Sequence, residues 1–419
     1  APDAILRFRR FILDLAVRGK LVEQDPRDEP ACELFKRIQT EKARLAQAGE
    51  IKTGKPLPDI VENESPFRIP TSWQWVRLND ITSYIQRGKS PKYATGEGLP
   101  VISQKCVQWG GLELESAKLI TRDSIKDYEP IRFLRSGDLL WNSTGTGTIG
   151  RIIRVKEPRP KLVCDSHVTV VRCLEVNAEY VRSWLRSDHV YAVIEDRAAG
   201  STNQVELTSQ LVMNQVVPLP PLAEQHRIVA KVDELMALCD RLEAAQTERE
   251  NGRDRLVGSS LNRLNNGADP DAFRDHARFY FNHLPRLTTR HEHIQQLCRT
   301  IRHLAVCGKL VPQDPTDEPA KVLLAKVEAN SKTYALEQGI APPNPDPIAK
   351  EDGDFAAPSG WEWVRLASLF KVITDGDHQP PPKASDGIAF LTIGNITTGK
   401  LDFTNCRFVG EEYWESLSP

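Results

Sequence analysis

The stretch Ala16-Val-Arg-Gly-Lys-Leu-Val-Glu-Gln-Asp-Pro-Arg-Asp-Glu-Pro-Ala31 occurs twice, returning as Ala305-Val-Cys-Gly-Lys-Leu-Val-Pro-Gln-Asp-Pro-Thr-Asp-Glu-Pro-Ala320. A second pair follows: Pro70-Thr-Ser-Trp-Gln-Trp-Val-Arg-Leu78 and Pro358-Ser-Gly-Trp-Glu-Trp-Val-Arg-Leu366. A weaker echo joins 101–114 to 390–403. The three offsets are 289, 288 and 289 residues, so they are one duplication and not three coincidences. A long internal period fixes the architecture before any single element is assigned.

Each copy has the same order. A helix ends at a glycine (Gly19, Gly308), the residue best suited to a left-handed cap. A turn rich in Pro and Asp follows, then a charged helix (29–47, 318–338), a polar linker and a Trp-x-Trp strand. That strand opens a mixed α/β domain, 71–220 in the first copy, with β-rich segments at 139–141, 151–155 and 168–173 and a helix over 180–196. After Pro218-Leu-Pro-Pro221 the period becomes helical, and Ile228, Val232, Leu235, Cys239 and Leu242 step as a heptad seam. A helix over 222–264 would be about 65 Å long at 1.5 Å per residue, the length of a spacer or of half a coiled coil. An amphipathic helix packed on its own domain is the other reading.

The duplication therefore divides the chain into an N-terminal helical region and linker (1–70), a first mixed α/β domain (71–220), central helices and linker (221–357), and the start of a second domain (358–419). Only about 60 residues follow Pro358, so the second copy is expected to be incomplete, with unpaired strand edges and little stability of its own.

Composition narrows the function. Hydrophobic residues make up 40 % and charged residues 27 %, an ordinary globular balance. No run of 18 apolar residues suggests a membrane span, and 1–10 has no secretory pattern. The eight cysteines are scattered without a Cys-x-x-Cys pair, as in a reduced, cytoplasmic protein. His291, His293 and Cys298 lack a second close pair of ligands and read as a helix face, so no metal is expected. The net charge of −2 does not exclude nucleic acid, because the local field decides. Between 87 and 161 there are 14 Lys and Arg against 8 Asp and Glu.

Taken together, the Pro-x-x-Trp-x-Trp-x-x-Leu strands at 70–78 and 358–366 and the Pro-Leu-Pro-Pro-Leu-Ala-Glu-Gln exit continuing to Asp233 resemble the specificity subunits of type I restriction–modification systems. Segment 5–21, with Arg18-Gly-Lys-Leu21, resembles the part of that family that follows a spacer helix. The resemblance implies mixed α/β target-recognition domains joined by long coiled-coil-like helices in a pseudo-twofold chain. It implies a non-catalytic subunit that binds double-stranded DNA. Such a subunit directs methyltransferase subunits, expected to be two, and restriction subunits to a bipartite target. The methyltransferase would dock on the helices, where Glu224, Arg227, Lys231 and Arg241 flank the seam; each is equally readable as solvated helix surface.

The remaining motifs point the same way. Gly145-Thr-Gly-Thr-Ile-Gly150 matches a dinucleotide fingerprint, but Arg151-Ile-Ile-Arg-Val155 behind it is strand-like where a helix is required, so no nucleotide cofactor is expected. It reads better as a loop of small residues, with Asn142, Ser143, Thr144, Thr146 and Thr148 offering amides and hydroxyls to DNA. Arg87, Lys89, Lys92 and Tyr93 form a cationic loop, Gln104, Lys105 and Trp109 follow the next strand, and Asn203 and Gln204 precede the exit. For each of these, ordinary loop chemistry is the competing reading. An adenine-flipping loop, a Walker A sequence and nuclease motifs are not found, which assigns catalysis to partners. Two other readings are weighed: the end of a fused methyltransferase–nuclease, and a coiled-coil scaffold without a DNA role.

Overall fold

The computed structural model describes residues 3–52, 57–145, 147–157, 162–198, 206–267, 269–342, 344–349, 353–371, 373, 381–397 and 399–416. It divides into two compact units, Ala1–Asn251 and Gly252–Pro419.

The first unit begins with α1 (Ala4–Val17) and α2 (Ala31–Gln47). In α2 the residues Ala31, Leu34 and Ile38 step by three and four, and all are buried. Strand β1 (Gln74–Arg77) opens the domain and β2 (Thr82–Arg87) follows. Next come β3 (Leu99–Ile102), the hairpin β4 (Val107–Gln108) and β5 (Gly111–Leu112), β6 (Lys118–Ile120) and the short α3 (Arg122–Lys126). Then come β7 (Leu139–Asn142), β8 (Ile152–Arg154), β9 (Val163–Cys164) and β10 (Val168–Cys173). The domain ends with α4 (Ala178–Leu185), α5 (Asp188–Ala198), α6 (Ser209–Asn214) and β11 (Val216–Leu219), and β11 leads into α7 (Leu222–Asn266).

The main sheet is antiparallel in the order β2-β10-β7-β8, and a smaller one runs β6-β3-β9 with β9 parallel to β3. Both faces of the main sheet are buried, which explains why its strands read as continuous apolar runs. Alternate residues enter different cores: Leu139, Trp141, Ile152 and Val171 one, Leu140, Ile153 and Val170 the other. Asp138, wholly buried, anchors this sheet by a two-pronged pair with Arg172 (2.7 and 2.8 Å).

Entry and exit strands are neighbours. β1 pairs with β11, Trp75 opposite Pro218 and Val76 opposite Val217, so the domain closes on itself before α7 leaves. The expected helix over 180–196 is two helices. Arg186 caps α4, and the Ser187 carbonyl, accepting from Tyr191 at 3.1 Å, starts the next.

Ile228, Val232 and Cys239 of α7 lie in the same core as Ile12, Ala16, Tyr180 and Trp184, whereas Leu242 is 50 % exposed. Over 228–239 the heptad pattern is therefore used for packing on the helix's own unit. A pattern of apolar steps fixes which face is buried, not what buries it.

The second unit holds the rest of α7, α8 (Pro270–Asn282), α9 (Leu284–Leu287), α10 (His291–Val306) and α11 (Ala320–Gln338), with a small core of Val257, Leu261, Leu264, Tyr280 and Leu287. Beyond them β12 (Ile388–Phe390) pairs with β15 (Arg407–Val409), and β13 (Ile396–Thr397) with β14 (Lys400–Leu401). The second Trp-Glu-Trp, 361–363, lies in no strand, because no described residue supplies it with the partner that β11 gives β1.

The repeated glycines do the same job in both units. Gly19 (φ +67) and Gly308 (φ +65) are left-handed caps. Lys20 N–H reaches back to the Leu15 carbonyl at 2.9 Å, and Lys309 N–H to Leu304 at 2.8 Å. No described helix is long and apolar enough to cross a membrane.

Candidate nucleic-acid interface

The sheets bring together segments far apart in sequence. The end of β2 carries Arg87, whose Nε and Nη2 donate to the Ser166 carbonyl at 2.9 and 2.6 Å while Nη1 pairs with the Glu206 carboxylate. Lys89 lies over the Tyr128 ring at 5.8 Å, and the Tyr128 hydroxyl donates to the Lys89 carbonyl at 3.0 Å. Lys92 is exposed, as is Tyr93, which lies under the Lys118 ammonium, 4.8 Å from its ring. Burial lifts the Tyr128 hydroxyl to about 12, so it acts as a donor at any ordinary pH.

The turn between β7 and β8 faces this cationic loop. Thr144 Oγ1 bonds the His167 ring at 2.8 Å, and its backbone bridges to Glu206. Thr148 Oγ1 donates back to the carbonyls of Thr144 (3.1 Å) and Gly145 (3.2 Å), closing the turn. At Gly150 (φ +82) a Cβ would sit 2.9 Å from the Tyr191 ring and hydroxyl, so only glycine lets that ring close. This is a strand–turn–strand connection, not the strand–turn–helix of a dinucleotide site.

The 103–109 loop completes the face. Lys105 is exposed, and its carbonyl accepts from Gln108 Nε2 at 2.8 Å. Gln108 Oε1 accepts from Arg151 at 2.6 Å, and Arg151 also donates to the Gly147 carbonyl at 2.9 Å. Trp109, 46 % exposed, lies 6.0 Å from the Tyr191 ring at a tilt of 36°, with the Arg186 guanidinium 5.4 Å from its own ring. Burial lowers Arg186 to about 10, which leaves it charged at neutral pH. Behind the face the Asp165 carboxyl accepts from His167 N–H at 2.9 Å. Burial pushes its pKa up, against the pull of His167, Lys118 and Arg87.

Arg87, at the end of β2, and Lys89, Lys92, Tyr93, Gln104, Lys105, Trp109, Thr144 and Thr148, on the loops, thus lie in one domain. Two expectations need correcting. Asn142 and Ser143 are 0 % exposed and cannot present their side chains to DNA. Asn142 Nδ2 donates to the Gln104 carbonyl at 3.0 Å, and Ser143 Oγ bonds Thr169, so both brace the loops from inside. Thr146, Asn203 and Gln204 lie outside the described residues.

On the helices, Glu224 is 1 % exposed and serves its own domain, accepting from Trp73 Nε1 at 2.9 Å and from Gln24. It cannot be a partner contact. Arg227 is tied to Asp28 at 2.6 Å. Lys231, paired with the exposed Glu234 at 2.9 Å, and the exposed Arg241 remain on the surface.

Sequence reasoning missed Lys118, Arg151, His167, Arg186, Tyr191 and Glu206. Each stands alone in its own segment and joins the face only through tertiary packing, Arg186 and Tyr191 from helices and the others from strands or the loops beside them. Among the described residues no group of three or more His, Cys, Asp or Glu could hold a metal.

The family described as type I restriction modification DNA specificity domain matches residues 70–250. The specificity subunit of the Escherichia coli type I restriction enzyme EcoAI is 33 % identical over 418 residues, covering 94 % of this chain and 67 % of that one. The EcoEI specificity subunit of Escherichia coli is 32 % identical over 389 residues, covering 89 % and 63 %. The chain thus spans about two thirds of the length of these curated relatives. A crystal structure of an HsdS subunit from Thermoanaerobacter tengcongensis aligns with a TM-score of 0.34 at 20 % identity, covering 58 % of this chain and 52 % of that one. The class is that of a non-catalytic DNA-recognition component. The chain belongs to the type I restriction enzyme specificity subunits.

Proposed function

We propose that the first domain reads one part of a bipartite DNA target in the cytoplasm, and that the chain directs partner methyltransferase and restriction subunits to it. The observation that carries this reading is the convergence of Arg87, Lys89, Lys92, Lys105, Lys118 and Arg151 with Thr144 and Thr148 on the loops and strand ends of one domain. Lysines there would hold phosphates and set salt dependence, while Gln and Thr groups would meet base edges. Methyltransferase subunits, two by the duplication, would dock on the helices, with Lys231 and Arg241 as surface contacts. The repeated cap geometry at Gly19 and Gly308 supports a pseudo-twofold plan, with α7 as the spacer between two half-sites.

Methylome sequencing of a host expressing this chain with its methyltransferase tests the reading. A bipartite modified motif is expected, and its absence overturns the proposal. Band shifts with alanine variants of Arg87, Lys105 and Gln204 test the face itself; if all three bind and choose sites like wild type, the face is wrongly placed.

A further inference from the structure

One acidic side chain stands among the cations of this face, and phosphate binding gives it no use. Glu206 is held in place from both sides. Its backbone bridges to Thr144, and the next residue, Leu207, donates its N–H to the Ser143 carbonyl at 2.8 Å. Its carboxylate meets Arg87 Nη1, and Arg87 cannot follow it outward, because Nε and Nη2 are fixed on the Ser166 carbonyl. The Glu206 side chain is nevertheless 48 % exposed. An ionised carboxylate has about four lone-pair directions, and one guanidinium edge leaves some of them facing outward.

We propose that Glu206 is a specificity-determining residue that accepts from the exocyclic amino group of a cytosine or adenine in the major groove. The inference rests on the reading of this face as the DNA interface. A carboxylate repels phosphate oxygens and favours an amino hydrogen, so it weakens binding to wrong sequence as well as rewarding the right one. Arg87 has the complementary role. Neutralised by Glu206, it adds little to phosphate attraction and acts as a positioning residue. It orients the carboxylate and spares it from being an uncompensated charge once DNA covers it.

The test uses the full chain with its methyltransferase partner, selection from a pool of random-sequence duplexes, and binding at several salt concentrations. With Glu206→Ala, binding to unselected duplex should rise, and one position requiring C or A should become relaxed; which base it was identifies the amino group. The ratio of selected to unselected affinity should fall about 10-fold, the usual size of one lost base contact. The double variant Arg87→Glu with Glu206→Arg restores the ion pair but places a guanidinium at the reading position, so that position should shift toward G. If Glu206→Ala folds and keeps the wild-type motif and ratio, or if the swapped pair restores the wild-type motif, Glu206 only braces the loop and the inference fails. If Lys89, Lys92 and Lys105 can all be changed to alanine without loss of affinity for any duplex, the DNA face itself is wrong, whatever Glu206 does.

Discussion

The Trp73 indole N–H donates to the Glu224 carboxylate at 2.9 Å, joining the strand that opens the recognition domain to the first turn of the helix that leaves it. Gln24 of the repeated turn donates to the other carboxylate oxygen. One acidic side chain therefore locks two landmarks of the repeat, the turn at Gln24 and the strand after Trp73, to the start of α7. Glu224→Ala would leave a buried indole N–H without an acceptor, and a loss of about 1–3 kcal/mol is expected in urea unfolding. Burial raises the Glu224 pKa above its ordinary 4.5, although the Trp73 and Gln24 donors pull it down. The folded state thus holds this proton more tightly than the unfolded one. Its contribution is most favourable below 4.5 and is lost as pH rises through the higher folded value. Glu224→Gln should remove that part of the pH dependence, and an unchanged profile would count against the assignment.

The Gly19 cap sits against Pro70, and a Cβ there would stand 2.6 Å from its Cγ; at Gly308 the distance to Pro358 Cγ is 2.5 Å. Both glycines are left-handed, so a substituent adds backbone strain of about 1–2 kcal/mol to the clash. Gly19→Ala and Gly308→Ala should each lower the thermal midpoint of their unit by several degrees. Equal midpoints for wild type and Gly308→Ala would remove the structural equivalence of the two copies.

Asp138 and Arg172 form a pair closed to solvent on the aspartate side. Breaking it leaves a charge without its counterion, so Asp138→Asn should cost about 3–5 kcal/mol in denaturant unfolding. The double change Asp138→Asn with Arg172→Met should recover part of that loss. If the double variant is as unstable as the single one, the pair matters for packing rather than charge.

Much of this was legible from residues alone, and the failures have a common cause. The duplication, the cap at Gly19 and the strands around Leu139, Ile152 and Val168 show in the chain because local geometry and period dictate them. Asn142 and Ser143 were misread because polarity in a Thr/Gly loop says nothing about which side chains turn inward; strand alternation with burial on both faces took them into the core. Glu224 was misread because a helix wheel shows it beside the seam, while its partners Trp73 and Gln24 lie 151 and 200 residues away. Glu206 and His167 could not be found, since contacts with Thr144, Ser143 and Arg87, all distant in sequence, bring them to the face.

The cationic loops make a quantitative claim about salt. Each lysine that holds a phosphate contributes about 0.9 to the slope of log binding constant against log salt. Changing Lys89, Lys92 and Lys105 together should flatten that slope by about 2 to 3 and weaken all sequences alike. Ser143→Ala, inside the core, should leave the slope unchanged and show only in stability. A steep slope that survives the triple change would move the phosphate contacts elsewhere.

The helix α7 offers the last test, because its length is a ruler only if its middle does nothing else. Residues 244–250 are exposed, Glu250 only in part, and lie beyond the part packed on Ile12 and Tyr180. Removing seven residues there takes out about 10.5 Å. The faces stay nearly in phase, since two turns of 3.6 residues differ from seven by only about 20°. At about 3.4 Å per base pair, the gap of a bipartite target should shorten by about three base pairs while both half-sites keep their sequence. Methylome sequencing of hosts carrying the two lengths gives the comparison directly. A changed half-site would mean that the helix shapes the reading loops; an unchanged gap would mean that something other than α7 sets the distance.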